Sequence, residues 1–192
     1  SKIENQSISS NINIFLATKT INLDKNYKWI IKSNDSEDYE SLYRFNWIKY
    51  FLSSKNITTE QVSLINYLII DWFNNNINNY NSSNLKYMPY TMSERLCNVL
   101  FFYVALNKDI PNNLIHHLHF TANKIANNLE VYRFGTGNHL INNFKSLIIY
   151  SLYFNNDQLL SQSLRHFKRL CDDFISKGFT KDYSSSYQVL FI

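Results

Sequence analysis

Apolar residues recur at helical spacing along most of the chain after residue 39. Positions three, four or seven residues apart lie on one face of a helix, so such runs predict amphipathic helices. The first predicted helix covers residues 40–53. Five others carry the apolar runs 62–73, 96–104, 114–129, 140–150 and 159–174. Helices joined by short links predict antiparallel helical hairpins that stack side by side.

Residue types that favour helix ends support this division. Thr58 or Thr59 suits the cap of the second helix, and Pro89 breaks the chain before the third. Pro111 fits a first-turn position of the fourth helix, and Gly178 fits a C-terminal cap of the sixth. The segment 133–137 holds two of the three glycines and is predicted to be a loop.

The composition favours one all-α unit. A chain of 192 residues, 45% of them hydrophobic, can bury one continuous core. Only 3 Gly and 2 Pro argue against a β-sandwich, which needs frequent turn residues. Residues 1–38 show no sustained period and are rich in Ser, Asn and Asp, so we predict an irregular lead-in there and a helical domain over 39–192.

Charge and cysteine content exclude several classes of function. The formal net charge of +4 is too small to indicate a nucleic-acid partner, although it allows a polyanionic ligand. Cys97 and Cys171 lie in apolar helical patterns, which predicts core packing rather than a disulfide framework. No run reaches the roughly 20 apolar residues of a membrane span. The apolar run 188–192 looks like the first turn of a further helix, so we expect an N-terminal or internal part of a longer protein.

Three segments carry polar and glycine residues that helical packing does not explain. They read MPYTMSERLCN at 88–98, GNHLINN at 137–143 and KGFTKDYSSSYQ at 177–188. Together with Asn128-Leu129-Glu130 they resemble the N-terminal helical domain of the heparinase II/III family of polysaccharide lyases. The family elements are Pro-Tyr-Thr-x-Ser-x-Arg-x-x-Asn, then Asn-Leu-Glu with Gly-Asn-His-Leu and a later Asn, and last Asp-Gly-x-x-x-Glu-x-Ser-Pro-x-Tyr-His. Their order and spacing agree over about residues 39–192.

This resemblance implies a fold and an activity. The fold is an incomplete (α/α) toroid, followed in complete members by further helices and a β-sandwich domain that this chain lacks. The activity is β-elimination on an acidic, uronate-containing polysaccharide, without a cofactor, a nucleic-acid partner or a membrane span. The compartment stays open between the periplasm and the cytoplasm of a bacterium.

The resemblance also assigns catalytic roles. Asn138 and His139 would hydrogen-bond the uronate carboxylate and stabilise the charge that develops when the C5 proton leaves. Tyr187 would donate a proton to the leaving oxygen, and such a tyrosine sometimes also removes the C5 proton. The residue types alone leave other interpretations open. Asn138 can cap a helix, and His139 can be a hydrogen-bonded structural residue.

Further residues are assigned to substrate binding. Arg95 would hold an anionic sugar through a bidentate contact, with Tyr90 beside it in the same element. Asn142 lies one helical turn beyond Asn138, so both can face one cleft. An ordinary ion-pair role for Arg95 is the alternative.

Departures from the family pattern support a second hypothesis. Ser185 replaces the usual Pro, and Gln188 replaces the usual His after the tyrosine. Lys177 stands where an acidic residue is common, and Asp182 replaces the usual Glu. A non-catalytic carbohydrate-binding or polysaccharide-assembly module with the same helices would show such changes.

One histidine cluster and one basic cluster are less specific signals. His116, His117 and His119 include an i, i+3 pair that suits two metal ligands, but no neighbouring acidic residue or cysteine completes a set, and we predict no metal site. The basic residues Arg165, Lys168 and Arg169 form a short positive patch on the sixth helix, which suits a solvated face or contact with a polyanion.

Overall fold

The computed structural model describes residues 11–54, 57–77, 80–81, 83–131, 138–176 and 179–180. Within these ranges the chain is mostly helical, which confirms the helical part of the prediction. The helices are α1 (Ser36–Tyr43), α2 (Trp47–Ser53), α3 (Thr59–Asn76), α4 (Pro89–Ala105), α5 (Asn112–Asn127), α6 (Asn138–Tyr153) and α7 (Asp157–Phe174). A short 3₁₀ turn at Leu85–Tyr87 precedes α4. None of the helices in this described part has both the length and the apolar character needed to cross a membrane.

A β-hairpin precedes the helices, so the prediction of an irregular lead-in over 1–38 was wrong for part of that segment. Strands β1 (Asn11–Phe15) and β2 (Thr20–Asp24) pair antiparallel, with Asn11 opposite Asp24. The side chains of Ile12, Ile14 and Leu23 are buried. Their alternation with polar residues covers only five positions per strand, which is too short to stand out from an irregular segment. A smaller antiparallel pair, β3 (Ile175–Ser176) and β4 (Phe179–Thr180), follows α7.

Asp38 attaches the hairpin to α1. Its carboxylate accepts hydrogen bonds from the backbone N–H of Thr18 at 2.8 Å and from the hydroxyl of Thr18 at 2.7 Å. The hydroxyl of Ser33 donates to the same carboxylate at 2.5 Å. The Ser33 hydrogen bond is the largest cause of a lowered Asp38 pKa, which burial opposes. The turn of the hairpin is therefore tied to a charged, buried side chain.

The chain breaks between α1 and α2, although the apolar spacing predicted one helix over 40–53. Phe45 adopts a φ angle of 59°, in the left-handed region that a right-handed helix excludes. Its buried ring contacts Trp29, Trp47 and Trp72, with ring centroids 5.6 to 5.7 Å apart. Burial of these aromatic rings offsets the backbone cost of the break.

Most other helix ends lie close to the predicted positions. Thr58 and Gln61 form a reciprocal capping box at the start of α3, which confirms the first of the two predicted caps. Pro89 is itself the first residue of α4, and Pro111 directly precedes α5 rather than lying in its first turn. Helix α7 ends at Phe174, and the predicted cap Gly178 lies outside the described residues.

Helices α4 and α6 lie side by side and run in the same direction. Tyr90 contacts His139, Ser93 contacts Asn143, and Glu94 contacts Lys145, so the residue numbers rise together along both helices. Helix α5 therefore returns the chain from the end of α4 to the start of α6. One consequence is that the N-terminal ends of α4 and α6 meet at the same end of the helical layer.

The buried core runs continuously from the hairpin to α7. Cys97 lies within it on α4, and burial raises the pKa of its thiol to about 12. Cys171 is half-buried on α7, and both cysteines are free. The prediction that they pack rather than pair in a disulfide agrees with this placement.

Candidate functional site

The N-terminal ends of α4 and α6 bring two predicted site residues together. The ring of Tyr90 lies against the imidazole of His139, with centroids 4.5 Å apart and an interplanar angle of 38°. The guanidinium carbon of Arg44 lies 4.8 Å from the centroid of the same Tyr90 ring. Tyr90 and His139 are separated widely in sequence, so the parallel packing of their helices makes this contact.

Glu130 orients His139. Nδ1 of the imidazole lies 3.0 Å from Oε1 of Glu130. Since an ionised carboxylate only accepts hydrogen bonds, we assign the proton to Nδ1. The Glu130 side chain is 8% exposed whereas that of His139 is 41% exposed, so the carboxylate supports the ring from within and the ring reaches the surface.

Asn143 in turn positions Glu130. Its side-chain Nδ2 donates to Oε2 of Glu130 at 3.2 Å and to the hydroxyl of Ser93 at 3.1 Å. The backbone N–H of Glu130 donates to Oδ1 of Asn143 at 3.1 Å. Asn143 is fully buried, so this network fixes the carboxylate beside His139. We call Tyr90, Glu130, His139 and Asn143 the helix-end cluster.

Charged side chains of both signs lie at this end, and they are paired with one another. The N-terminal ends of α4 and α6 meet here, and the N-terminus of a helix carries about half a positive charge. Arg44 is held beside Tyr90 by ion pairs with Glu37 and Glu40. His139 is therefore the polar group of this cluster that a ligand at the surface can reach.

Arg95 does not belong to this cluster, which corrects its predicted role in holding an anionic sugar. Its Nη1 donates to the carbonyl of Tyr43 at 2.7 Å, and its Nη2 donates to the carbonyl of Lys86 at 2.9 Å. Its guanidinium carbon lies 3.9 Å from the centroid of the Trp72 ring. The residue is 1% exposed, and burial lowers its pKa to about 9. Arg95 therefore joins the end of α1 to the turn before α4.

The other predicted site residues have different placements. Asn138 is the first residue of α6 and is half-buried, at the same helix end as His139. Asn142 is buried one turn further along, and its side-chain nitrogen has no hydrogen-bond partner in the described structure. Tyr187 lies outside the described residues.

Sequence reasoning left three contributors out of the predicted site. Glu130 and Asn143 stood inside the segments that carried the family resemblance, so their presence there was a usable signal. Arg44 belonged to no such segment. Its contact with Tyr90 follows from the break between α1 and α2, which the spacing did not indicate.

The histidines of α5 serve separate contacts. Nε2 of His117 lies 3.2 Å from the side-chain oxygen of Asn74, and Nδ1 of His119 lies 2.7 Å from the hydroxyl of Tyr150. Across the ranges given above, no three His, Cys, Asp or Glu side chains are grouped to hold a metal ion.

Comparison of the chain with protein-family models, with curated proteins and with solved structures returns no match.

Proposed function

We propose that this chain binds an acidic, uronate-containing polysaccharide at the helix-end cluster and belongs to a lyase that cleaves it by β-elimination. The observation that carries the proposal is the His139–Glu130 pair, which lies at two converging helix N-termini beside an aromatic ring. A neutral sugar has no charged group that would interact with the imidazole or with the helix N-termini. A carboxylate-bearing sugar would find a hydrogen-bond donor, two helix dipoles and a flat ring at one place.

We further propose that the helices belong to an incomplete (α/α) toroid. In that arrangement, helices of one layer run parallel and each is joined to the next by a returning helix of the other layer. The parallel pair α4 and α6, with α5 as the returning helix, is compatible with one such repeat. The remaining helices and a β-sandwich would belong to a longer parent protein.

The proposed chemistry assigns a task to each residue. Tyr187, as its phenolate, would accept the C5 proton and leave the C–H electron pair on the substrate as an enolate. That pair then forms the C4–C5 double bond as the C4–O bond breaks, and Tyr187 returns the proton to the leaving oxygen. Negative charge accumulates on the uronate carboxylate before that bond breaks. Asn138 and a protonated His139 would donate hydrogen bonds to this carboxylate, and Glu130 would hold the imidazole in place.

Formation of an unsaturated uronate, followed by its ultraviolet absorbance, tests the lyase activity. The chain and its full-length parent are incubated with alginate, polygalacturonate, hyaluronan and heparan sulfate, with neutral dextran as a negative control. We expect His139→Gln to lower turnover of the responsive polymer by about 100-fold, the typical cost of one charge-stabilising donor. The matched control is His116→Gln, because His116 is exposed on α5 and distant in sequence. Equal turnover in both variants would remove His139 from the mechanism.

A non-catalytic binding module is the second candidate, favoured by Ser185 and Gln188 in place of the family Pro and His. That function predicts saturable binding of a uronate polymer that His139→Gln weakens, with no unsaturated product from the parent. Tyr187→Phe separates the two candidates, because it would abolish turnover by a lyase and leave binding by a module unchanged. If no uronate polymer is bound or cleaved, both candidates are wrong.

A further inference from the structure

A cavity lies between α6 and α7, and none of the residues of the helix-end cluster is among its described lining residues. Its volume is about 620 Å³, within the roughly 300–1,000 Å³ range of small-molecule sites. The end of α5 and the residues that follow it close one side. The described lining residues are Ala126, Leu129, Val131, Leu140, Phe144, Leu147, Leu159, Gln162, Ser163, Arg165, His166, Arg169 and Leu170.

One wall of this cavity is apolar. Leu140, Phe144 and Leu147 lie at i, i+4 and i+7 on one face of α6, and all three are buried. Leu170 adds a further buried apolar side chain from α7. Such a wall contacts an aliphatic or aromatic body well but offers no hydrogen bonds to the hydroxyls of a sugar.

The opposite rim is basic. Arg165 and Arg169 are exposed on α7, one helical turn apart, and line the cavity with His166 between them. The ring of His166 stacks on Phe144 at a centroid distance of 5.3 Å, which connects the rim to the apolar wall. No described lining residue is acidic, and neither arginine forms an ion pair within the described ranges. The rim is therefore electrostatically matched to an anion.

A buried hydroxyl group that lines this cavity lacks a hydrogen-bond partner among the described residues. Ser163 is 1% exposed and lines the cavity, but its Oγ has no hydrogen-bond partner in the described structure. A buried hydroxyl without a hydrogen-bond partner is destabilising. A ligand oxygen that accepts a hydrogen bond from Ser163 would remove part of that destabilisation.

We propose that the α6–α7 cavity binds a small amphipathic carboxylate. Its apolar body would lie on the α6 wall, and its head group would lie near Arg165 and Arg169 with Ser163 as an additional donor. This site requires a carboxylate on an apolar chain, whereas the helix-end cluster is proposed to bind a polar sugar. The two proposals are thus independent and can fail separately.

Titration of the chain with decanoate, monitored by calorimetry and by ¹H–¹⁵N NMR, tests this site. The probe is kept below its micelle concentration, and decanol and decyltrimethylammonium are the uncharged and cationic comparisons. We expect saturable binding of one decanoate, with shifts confined to resonances around the cavity, and weaker binding of both comparisons. Binding of the ammonium compound as tight as that of decanoate would overturn the proposal, as would a lack of saturable decanoate binding.

The double variant Arg165→Gln/Arg169→Gln tests the head-group contacts. We expect its dissociation constant for decanoate to rise by about tenfold, because two exposed charge contacts are lost. The matched control is Lys168→Gln, since Lys168 is exposed on the same helix but does not line the cavity. All three side chains are exposed, so these variants keep the fold. An unchanged constant in the double variant would overturn the assignment of the arginines.

Discussion

Two sides of α4 use polar and charged side chains for different kinds of contact. On one side, most contacts are to the backbone: Arg95 donates to two carbonyls, and Asn98 donates to the carbonyl of Arg44 at 2.8 Å and also to the side-chain oxygen of Asn46 at 3.1 Å. On the other side, along the seam with α6, side chains pair with side chains. Ser93 contacts Asn143, and Glu94 lies 2.9 Å from Lys145.

The contacts on the first side hold the fold together, whereas those on the second side lead to the candidate site. Backbone carbonyls do not titrate and do not move independently, so the Arg95 side holds the joint between α1 and α2 in one geometry. The seam contains titratable groups and ends in His139 at the surface. One sequence motif therefore serves both the fold and the site, on different faces of the same helix.

Replacement of Arg95 gives the largest expected effect and tests the architectural side. Arg95→Met leaves the carbonyls of Tyr43 and Lys86 without their donors in a buried place, so we expect a loss of about 3 kcal/mol in the free energy of unfolding. Urea denaturation measures it. Arg169→Met is the matched control, and its effect should stay within about 0.5 kcal/mol because Arg169 is exposed. Similar effects of both variants would show that the buried contacts of Arg95 contribute little.

Asn143 tests the buried part of the seam. Asn143→Ala removes the contacts to Ser93 and Glu130, so we expect a loss of about 2 kcal/mol in the free energy of unfolding. The same variant should loosen the Glu130–His139 pair, which NMR of the His139 ring nitrogens detects. Asn123→Ala on the exposed face of α5 is the control, and it should be neutral or slightly stabilising. An unaltered His139 spectrum in Asn143→Ala would contradict the positioning role.

Glu94 gives the smallest expected effect, and this effect depends on pH. Burial raises the pKa of its carboxyl, but Lys145 and Lys49 outweigh burial, so the folded pKa lies below the ordinary value. A carboxyl group whose pKa is lower in the folded than in the unfolded protein stabilises the fold at pH values above its unfolded pKa. This stabilisation disappears as the pH falls through the folded pKa. We expect Glu94→Gln to cost about 1 kcal/mol near neutral pH and nothing in acid.

Thermal unfolding from about pH 7 to pH 3 measures this difference between Glu94→Gln and the unaltered chain. Lys145→Met should reproduce part of the same pH dependence, because it removes the nearer of the two cationic partners. A difference that stays constant over the whole range would show that these ion pairs do not stabilise the fold.

The sequence predicted the helices because their apolar spacing is long and regular, as in α3 and α6. It did not predict the break at Phe45, since the apolar pattern continues through that position and the left-handed backbone depends on contacts with distant tryptophans. The hairpin was missed because its strands are short and rich in Asn and Thr.

The candidate site was predictable only in part. The motifs indicated Tyr90 and His139, and the structure brings these together. They did not show that Arg95 points away from the site, because that depends on carbonyls of residues far along the chain. Glu130 and His139 are separated by the segment 133–137, which has no apolar periodicity. The sequence pattern therefore did not indicate that these two residues pair.

The packing of the aromatic rings around Phe45 determines what optical experiments can observe. All three tryptophans of the chain lie in this cluster, at positions 29, 47 and 72, and none lies in α4 to α7. Intrinsic tryptophan emission therefore reports on the N-terminal half of the molecule, and local opening of α6 and α7 would leave it unchanged. Circular dichroism reports on all helices, so a mismatch between the two transitions would reveal that the two halves unfold separately.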